Sequence, residues 1–194
     1  MSDSQMSDGR PMPRSQQTPA QTVGPFFGYA LPYPGGEQLV AAHRPDAIRV
    51  HGTVYDGDRQ PVPDALVEIW QPDGAGRISR ERGSLRRDGY TFTGFGRAAA
   101  DGDGHYQFTT VKPGATGGSA PYVLLTIFAR GLLHHLFTRM YFPDEDANQA
   151  DRLLARLEPE RRSTLIGVAD ADRSYRFDVH LQGEQETVFL DFDD

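Results

Sequence analysis

A short apolar run near the middle of the chain restricts the fold more than any other feature. Residues 120–131, APYVLLTIFARG, place apolar side chains on both faces of a strand and end in Arg130 and Gly131. A strand that is apolar on both faces is buried on both sides, and a run this short does not span a membrane. We therefore expect a covered sheet, with Arg130 where that sheet opens to a cleft or to a partner.

Alternating segments surround this run and are separated by turn residues. The chain contains 21 Gly and 14 Pro, which favours many turns. Tight turns are expected at Asp56 and Gly57, at Pro113 and Gly114, and at Gly183. The alternating segments are residues 47–55, 66–70, 105–111, 132–142 and 174–192, and the fourth is expected to pair with the apolar run as a hairpin.

This spacing predicts an all-β protein, an antiparallel β-sandwich with one short peripheral helix and long loops. The helix is expected within residues 144–167, where three leucines share a face and Pro159 ends the pattern. The longest loop is expected at residues 73–97, which are rich in glycine and charge. The length of 194 residues favours one domain, residues 20–194, after a disordered N-terminal arm at residues 1–19.

Composition excludes several classes of function. The formal net charge of -7 argues against sequence-independent binding of nucleic acid, which needs a cationic surface. The absence of cysteine excludes disulfides, thiolate nucleophiles and cysteine-ligated metals. The first twenty residues lack an apolar core of signal-peptide length, and we expect a cytoplasmic protein without membrane association.

The histidines do not point to a metal centre. His134 and His135 are adjacent on a predicted strand, so their side chains should face opposite sides. His51, His105 and His180 fall in separate strands or turns, and we interpret each as hydrogen-bonded or exposed. The sequence contains no phosphate-binding loop, H-E-x-x-H motif or evident Ser-His-Asp set.

Four blocks of sequence carry a resemblance to a known family. They are TPAQTVGPFF (18–27), GTVYDGDRQPVPDALVEIWQPDGAGRI (52–78), DGDGHYQFTTVKPG (101–114) and YRFDVHLQGEQETVFLDF (175–192). In content, order and spacing they resemble the intradiol ring-cleavage dioxygenases. The resemblance implies a β-sandwich and, in the iron-bearing members, a mononuclear non-haem Fe(III) site.

In those members the site resembles a ring of two tyrosines and a His-x-His pair. Phenolates and imidazoles suit Fe(III), and the two imidazoles lie on one side of a strand. The corresponding positions here are Ile78, Thr116, Tyr122 and Leu124, and none of them matches. We therefore expect no metal ligand and no catalytic residue in this chain. The chain resembles the iron-free type of subunit, which pairs in a heterooligomer with a beta subunit that ligates the Fe(III).

The resemblance also implies a substrate and the residues that border it. The assembled enzyme would cleave protocatechuate (3,4-dihydroxybenzoate) with O2 to 3-carboxy-cis,cis-muconate. The expected substrate-binding residues are Thr22, Gly24, Pro25 and Arg130. Gly24 and Pro25 would allow a close, rigid approach to a flat ring, and Arg130 would hold or steer the substrate carboxylate unless it only forms an ion pair at the subunit interface.

Two other interpretations remain open from the sequence. The chain is alternatively a metal-free β-sandwich that serves as a binding or scaffold module. A third reading is a metal-independent enzyme, or a lone dioxygenase with substitute ligands, which the lack of donor residues disfavours.

Overall fold

The computed structural model describes residues 20–81 and 87–192, so the predicted N-terminal arm lies outside the described residues. Nine strands and two short α-helices occur within these ranges. The strands are β1 (Ala47–Tyr55), β2 (Leu66–Trp70), β3 (Phe95–Ala99), β4 (His105–Val111), β5 (Tyr122–Phe128), β6 (Leu136–Tyr141), β7 (Val168–Ala171), β8 (Ser174–Arg176) and β9 (Val179–His180). The helices are α1 (Phe27–Ala30) and α2 (Pro159–Ser163).

The strands form two sheets, and this confirms the predicted β-sandwich. One sheet has the order β4-β1-β8-β7, with β9 also paired to β1, and the other has the order β3-β2-β5-β6. Most pairs are antiparallel, including the predicted hairpin of β5 with β6. The exceptions are β8 and β9, which run parallel to β1 because the chain crosses between sheets before it returns.

The core lies between the two sheets. Val123, Leu125 and Ile127 of β5 face it and are fully buried, and Tyr106 and Phe108 of β4 meet them from the other sheet. The outward-facing side of β5 is less covered than the sequence indicates, because its leucine and phenylalanine are only half-buried. Strand β5 therefore has one core face and one face that is only partly covered.

Three alternate residues of β4 lie on one face of the strand and are buried together. Tyr106, Phe108 and Thr110 are each at most 1% exposed. The Tyr106 hydroxyl donates a hydrogen bond of 2.5 Å to the carbonyl of Phe177, and burial raises the pKa of this phenol. Burying the hydroxyl without a partner would be costly, so this bond fixes where the chain passes at Phe177.

The predicted single helix within residues 144–167 is wrong in its extent. The segment forms two 3-10 turns, Asp146–Ala150 and Leu154–Arg156, followed by α2. Pro159 begins α2 instead of ending a helix, because proline fits the first turn, where its missing N–H has no helical partner. Asp151 separates the two 3-10 turns, and its buried carboxylate accepts the N–H groups of Ala120, Leu153 and Leu154.

Two other segments differ from the pattern. Strand β3 begins inside the stretch predicted as loop and continues beyond it. Arg97 in this strand is accommodated by an ion pair with Glu68 on β2. Gly183 forms the predicted turn with a φ of 102°. The strand expected after this turn is reduced to one bridge, between Leu190 and Phe137. Within the ranges that the structure describes, no helix is long and apolar enough to cross a membrane.

A buried histidine gives the fold a pH-dependent stability. His51 is 8% exposed, its Nε2 lies 2.9 Å from Asp170 Oδ2, and its Nδ1 lies 3.3 Å from His105 Nε2. Burial lowers the pKa of His51 below its ordinary value of 6.5, the nearby Arg49 charge lowers it further, and Asp170 opposes both. The unfolded chain therefore binds more protons at mildly acidic pH, and stability must fall as the pH drops through this window.

We expect the free energy of unfolding to decrease as the pH falls from about 7 to about 5, and His51→Gln to reduce that slope. The measurement is urea unfolding followed by circular dichroism at several pH values. His43→Gln, at an exposed position, is the control and should keep the wild-type slope. Equal slopes in all three proteins would contradict this assignment.

Candidate functional site

The structure joins two of the predicted substrate-binding segments. The Thr22 hydroxyl accepts a hydrogen bond of 2.7 Å from the backbone N–H of Gly131, 109 residues further along the chain. Gly131 follows Arg130 and has a φ of 92°, a conformation that favours glycine. The turn after Thr22 and the end of β5 thus lie on one surface.

The middle of this surface is an exposed turn. The N–H of Phe27 donates to the carbonyl of Gly24 at 3.1 Å, and α1 follows directly. Nothing lies within 4 Å of the position that a Cβ on Gly24 would occupy, and Pro25 is exposed. Thr22, Gly24 and Pro25 are therefore open to contact from outside the chain.

Arg130 is held by a residue of its own chain. Its Nε lies 3.0 Å from Asp64 Oδ2, and the two side chains are 58% and 37% exposed. Within residues 20–81 and 87–192, Arg130 has no second ion pair and no side-chain hydrogen bond. The structure thus shows an intramolecular ion pair, and an acidic partner across a subunit interface stays a prediction.

Two arginines that sequence reasoning missed fasten the segment behind this turn. Arg97 Nη1 donates to the carbonyl of Leu31 at 2.8 Å. Arg87 donates to the carbonyls of Gly35 and Gly36 and, at 3.2 Å, to the hydroxyl of Tyr33. No periodic pattern marks these contacts, and the only signal in the sequence was the density of arginine in the long loop. They hold residues 31–36, the first part of the segment between α1 and β1.

The four positions that correspond to the family's iron ligands do not form a donor set. Tyr122 and Leu124 do lie on one face of β5, the face turned away from the core. Ile78 is 70% exposed, and Thr116 lies in a turn whose carbonyl accepts the N–H of Ser119. Among the described residues, no group of three or more His, Cys, Asp or Glu side chains could hold a metal ion.

A guanidinium lies beside these positions. Arg139 is opposite Leu124 in the β5–β6 register, and its guanidinium carbon is 4.1 Å from the ring centre of Tyr122. The Nε of Arg139 is buried and has no hydrogen-bond partner among the described residues. A fixed positive charge at this distance repels a second cation. The residues present therefore do not fit Fe(III).

The neighbouring phenol reinforces this conclusion. Tyr141 is fully buried, donates a hydrogen bond of 3.2 Å to Asp151, and accepts one of 3.3 Å from Arg139. Burial raises the pKa of Tyr141 to about 12, although Arg139 opposes the shift. The hydroxyl stays protonated at neutral pH and is not a phenolate donor.

The histidines occupy positions that differ in part from the prediction. His134 and His135 lie in the loop before β6 and not on a strand, because β6 begins at Leu136. The argument from opposite strand faces is therefore wrong. The His135 ring packs between Phe128, at 5.5 Å, and Phe137, at 4.6 Å. His135 also lines a cavity together with Phe137 and Phe189.

Comparison with known proteins identifies the family. A family model described as "Dioxygenase" matches residues 38–183, three quarters of the chain. The chain belongs to the intradiol ring-cleavage dioxygenase family. Membership in the intradiol dioxygenases implies a non-haem iron in the assembled enzyme.

Within the intradiol dioxygenases, the chain is similar to two types of subunit, and more similar to one of them. It is 43% identical over 194 residues to the protocatechuate 3,4-dioxygenase alpha chain of Burkholderia cepacia, covering 91% of this chain and 98% of the relative. It is 31% identical over 160 residues to the beta chain of the same enzyme and organism, covering 73% and 67%. A solved structure, the dioxygenase domain of a carbohydrate-binding fusion protein from Streptomyces sp. SirexAA-E, superimposes with a TM-score of 0.59 at 24% identity. The match covers 86% of this chain and 99% of that domain, and it supports the fold.

Proposed function

We propose that this chain is the iron-free alpha-type subunit of a heterooligomeric dioxygenase that cleaves protocatechuate with O2 to 3-carboxy-cis,cis-muconate. Nearly end-to-end similarity to an alpha chain, and weaker similarity to a beta chain, support this assignment. A beta-type partner would supply the ferric ion. The misfit of Arg139 and Leu124 to a ferric site supports placing the iron in that partner.

The observation that carries the proposal is the hydrogen bond between the Thr22 hydroxyl and the N–H of Gly131. It brings a glycine-proline turn to an exposed arginine, in a structure whose described residues contain no group that could hold a metal ion. A turn with an open glycine approaches a planar ring closely, and a guanidinium binds a carboxylate. Protocatechuate offers both features in one molecule.

In this proposal the chain's own residues position the substrate and do no chemistry on it. Gly24 and Pro25 form a wall against one face of the aromatic ring. Arg130 holds the carboxylate of the ring. The edge of the ring that carries the two hydroxyls therefore faces the partner. Holding the substrate in one orientation removes rotational freedom before the reaction, which is a large share of what a binding subunit contributes.

The partner would cover α1 and its surroundings. Phe26 and Tyr29 are 75% and 87% exposed, and exposed aromatic side chains of this size are typical anchors of protein interfaces. Leu31 and Leu133 are also exposed large apolar residues of these segments. Covering them would also exclude water from the cleft beside Arg130.

The test is co-expression with a beta-type chain that carries the two tyrosines and the His-x-His pair. We expect the two chains to co-purify, with iron in stoichiometry with the beta-type chain, and the complex to consume O2 when protocatechuate is added. The chain expressed alone should contain less than about one tenth of an iron per molecule. Iron bound by this chain alone at full occupancy would contradict the proposal.

Failure to form a complex would favour the metal-free scaffold instead. Phe26→Ser together with Tyr29→Ser serves as the matched interface control, because both side chains are exposed and their loss should weaken association without unfolding the chain. Co-purification that is unaffected by this double change would place the interface elsewhere on the chain.

A further inference from the structure

We propose that Asp64 is a positioning residue that orients the Arg130 guanidinium toward the carboxylate of the substrate. This inference rests on the proposed function, since it presumes that Arg130 binds that carboxylate. Asp64 precedes β2 and is separated from Arg130 by more than sixty residues, so nothing in the sequence pairs them. The ion pair of 3.0 Å between Asp64 Oδ2 and Arg130 Nε is the starting observation.

The geometry of the pair leaves the useful edge of the guanidinium open. Asp64 approaches Nε, whereas the two terminal nitrogens of Arg130 have no partner among the described residues. Those two nitrogens form the end-on edge that binds a carboxylate through two parallel hydrogen bonds. One carboxylate thus holds the arginine from the side and a second can bind at its end.

Asp64 is itself held in a fixed place. It has a φ of 64°, a left-handed conformation that aspartate tolerates better than most residues. A Cβ built on Gly28 would lie 3.7 Å from the Cβ of Asp64, so α1 packs directly over it. Asp64 therefore lies where the start of β2, the helix that follows the Gly24 turn and the end of β5 meet.

Asp64 has two opposite effects on binding of the substrate, and the direction in which KM changes when its charge is removed shows which effect is larger. Its negative charge repels a substrate carboxylate, and this effect is weakened by solvent because the pair is more than one third exposed. Its contact with Nε removes rotamers from a long side chain that would otherwise lose them on binding. We infer that orientation outweighs repulsion, so removal of the Asp64 charge should weaken binding of protocatechuate.

The experiment measures KM in the co-expressed complex for protocatechuate and for catechol, which lacks the carboxylate. Arg130→Met should raise KM for protocatechuate by about tenfold, and Asp64→Asn by about three- to fivefold, with changes below about twofold for catechol. Asparagine also tolerates a left-handed φ, so Asp64→Asn should keep the wild-type urea midpoint. In the double variant, Asp64→Asn should add nothing to Arg130→Met.

Asp46→Asn is the matched control. Asp46 forms an ion pair of 2.6 Å with Arg44, whose side chains are 54% and 43% exposed, and it precedes β1. The segment that leads to Asp64 is instead bonded to the far end of β1, through the Val62 N–H and the Val54 carbonyl. The Asp46→Asn change removes one negative charge, as Asp64→Asn does, and should leave KM for both substrates unchanged. A KM for protocatechuate raised in this control as much as in Asp64→Asn would overturn the inference, because the effect would then be one of net charge.

Each remaining outcome also decides the question. A lower or unchanged KM for protocatechuate in Asp64→Asn, with the selective increase retained in Arg130→Met, overturns the role of Asp64 and leaves the proposed function intact. Equal changes for protocatechuate and catechol in Arg130→Met overturn the proposed contact of Arg130 with the carboxylate, and the role of Asp64 with it.

Discussion

Gly52→Ala is expected to destabilise the chain by about 3 kcal/mol or more, because the added methyl group has no space. A Cβ at Gly52 would lie 1.9 Å from the backbone oxygen of Phe177. The obstacle cannot move easily, since the Phe177 N–H donates to the His51 carbonyl at 2.7 Å and its oxygen accepts the Tyr106 hydroxyl. Urea unfolding followed by circular dichroism should show a lower midpoint or no cooperative transition.

Gly102→Ala is the control for this prediction. Gly102 is exposed, its φ lies outside the left-handed region, and nothing lies within 4 Å of the added Cβ. The change should alter the free energy of unfolding by less than about 0.5 kcal/mol. Unfolding of Gly52→Ala and Gly102→Ala at the same urea concentration would contradict the close packing of β1 against the backbone of residue 177.

Arg97→Met is expected to lower the free energy of unfolding by about 2–3 kcal/mol. Arg97 Nη2 lies 2.6 Å from Glu68 Oε1, and the side chains are only 18% and 14% exposed. Loss of the arginine leaves the Glu68 charge poorly solvated and unpaired, and leaves the Leu31 carbonyl without its donor. It also frees the segment that follows α1, so activity of the complex should fall with stability.

The double change Arg97→Met with Glu68→Gln separates the charge from the packing. It removes both charges, so it should recover about 1 kcal/mol or more relative to Arg97→Met alone. The free energies come from urea unfolding of the four proteins in the cycle. Equal stability of the single and double variants would show that the unpaired charge is not the cause.

Local patterns were sufficient for most strands. The period of two in β1, β2 and β4, and the apolar run of β5, are properties of neighbouring residues and do not depend on the rest of the fold. Strand β3 was not predicted because glycine and Arg97 interrupt its alternating pattern. The charge of Arg97 is acceptable in the sheet only because Glu68 lies opposite it on β2. That pairing joins residues 29 positions apart and has no local signal.

The segment after β6 shows the opposite error. Three leucines at helical spacing predicted one helix, but Asp151 accepts backbone N–H groups there and divides the segment into 3-10 turns. Aspartate competes with helical hydrogen bonding in this way when its side chain is buried beside free N–H groups. Helical periodicity alone does not reveal that competition.

The candidate site was named from the sequence only through a family resemblance, and its geometry required the fold. Thr22, Gly24, Pro25 and Arg130 are on one surface, and their role toward a substrate stays a prediction. Asp64 was not predicted as a site residue. It lies in the turn that precedes β2, far from Arg130 in the sequence, and only the folded chain brings the two together.

The sequence by itself determined which donor atoms this chain possesses. Ile78 and Leu124 have no side-chain atom that can bind a metal, whatever the fold, because donor chemistry is a covalent property of each side chain. Only the tertiary structure decided that Arg139 covers Tyr122, that Thr22 reaches the end of β5, and that Arg130 is paired within its own chain. Such contacts depend on strand register and on the paths of non-periodic loops, which residues close in sequence do not specify.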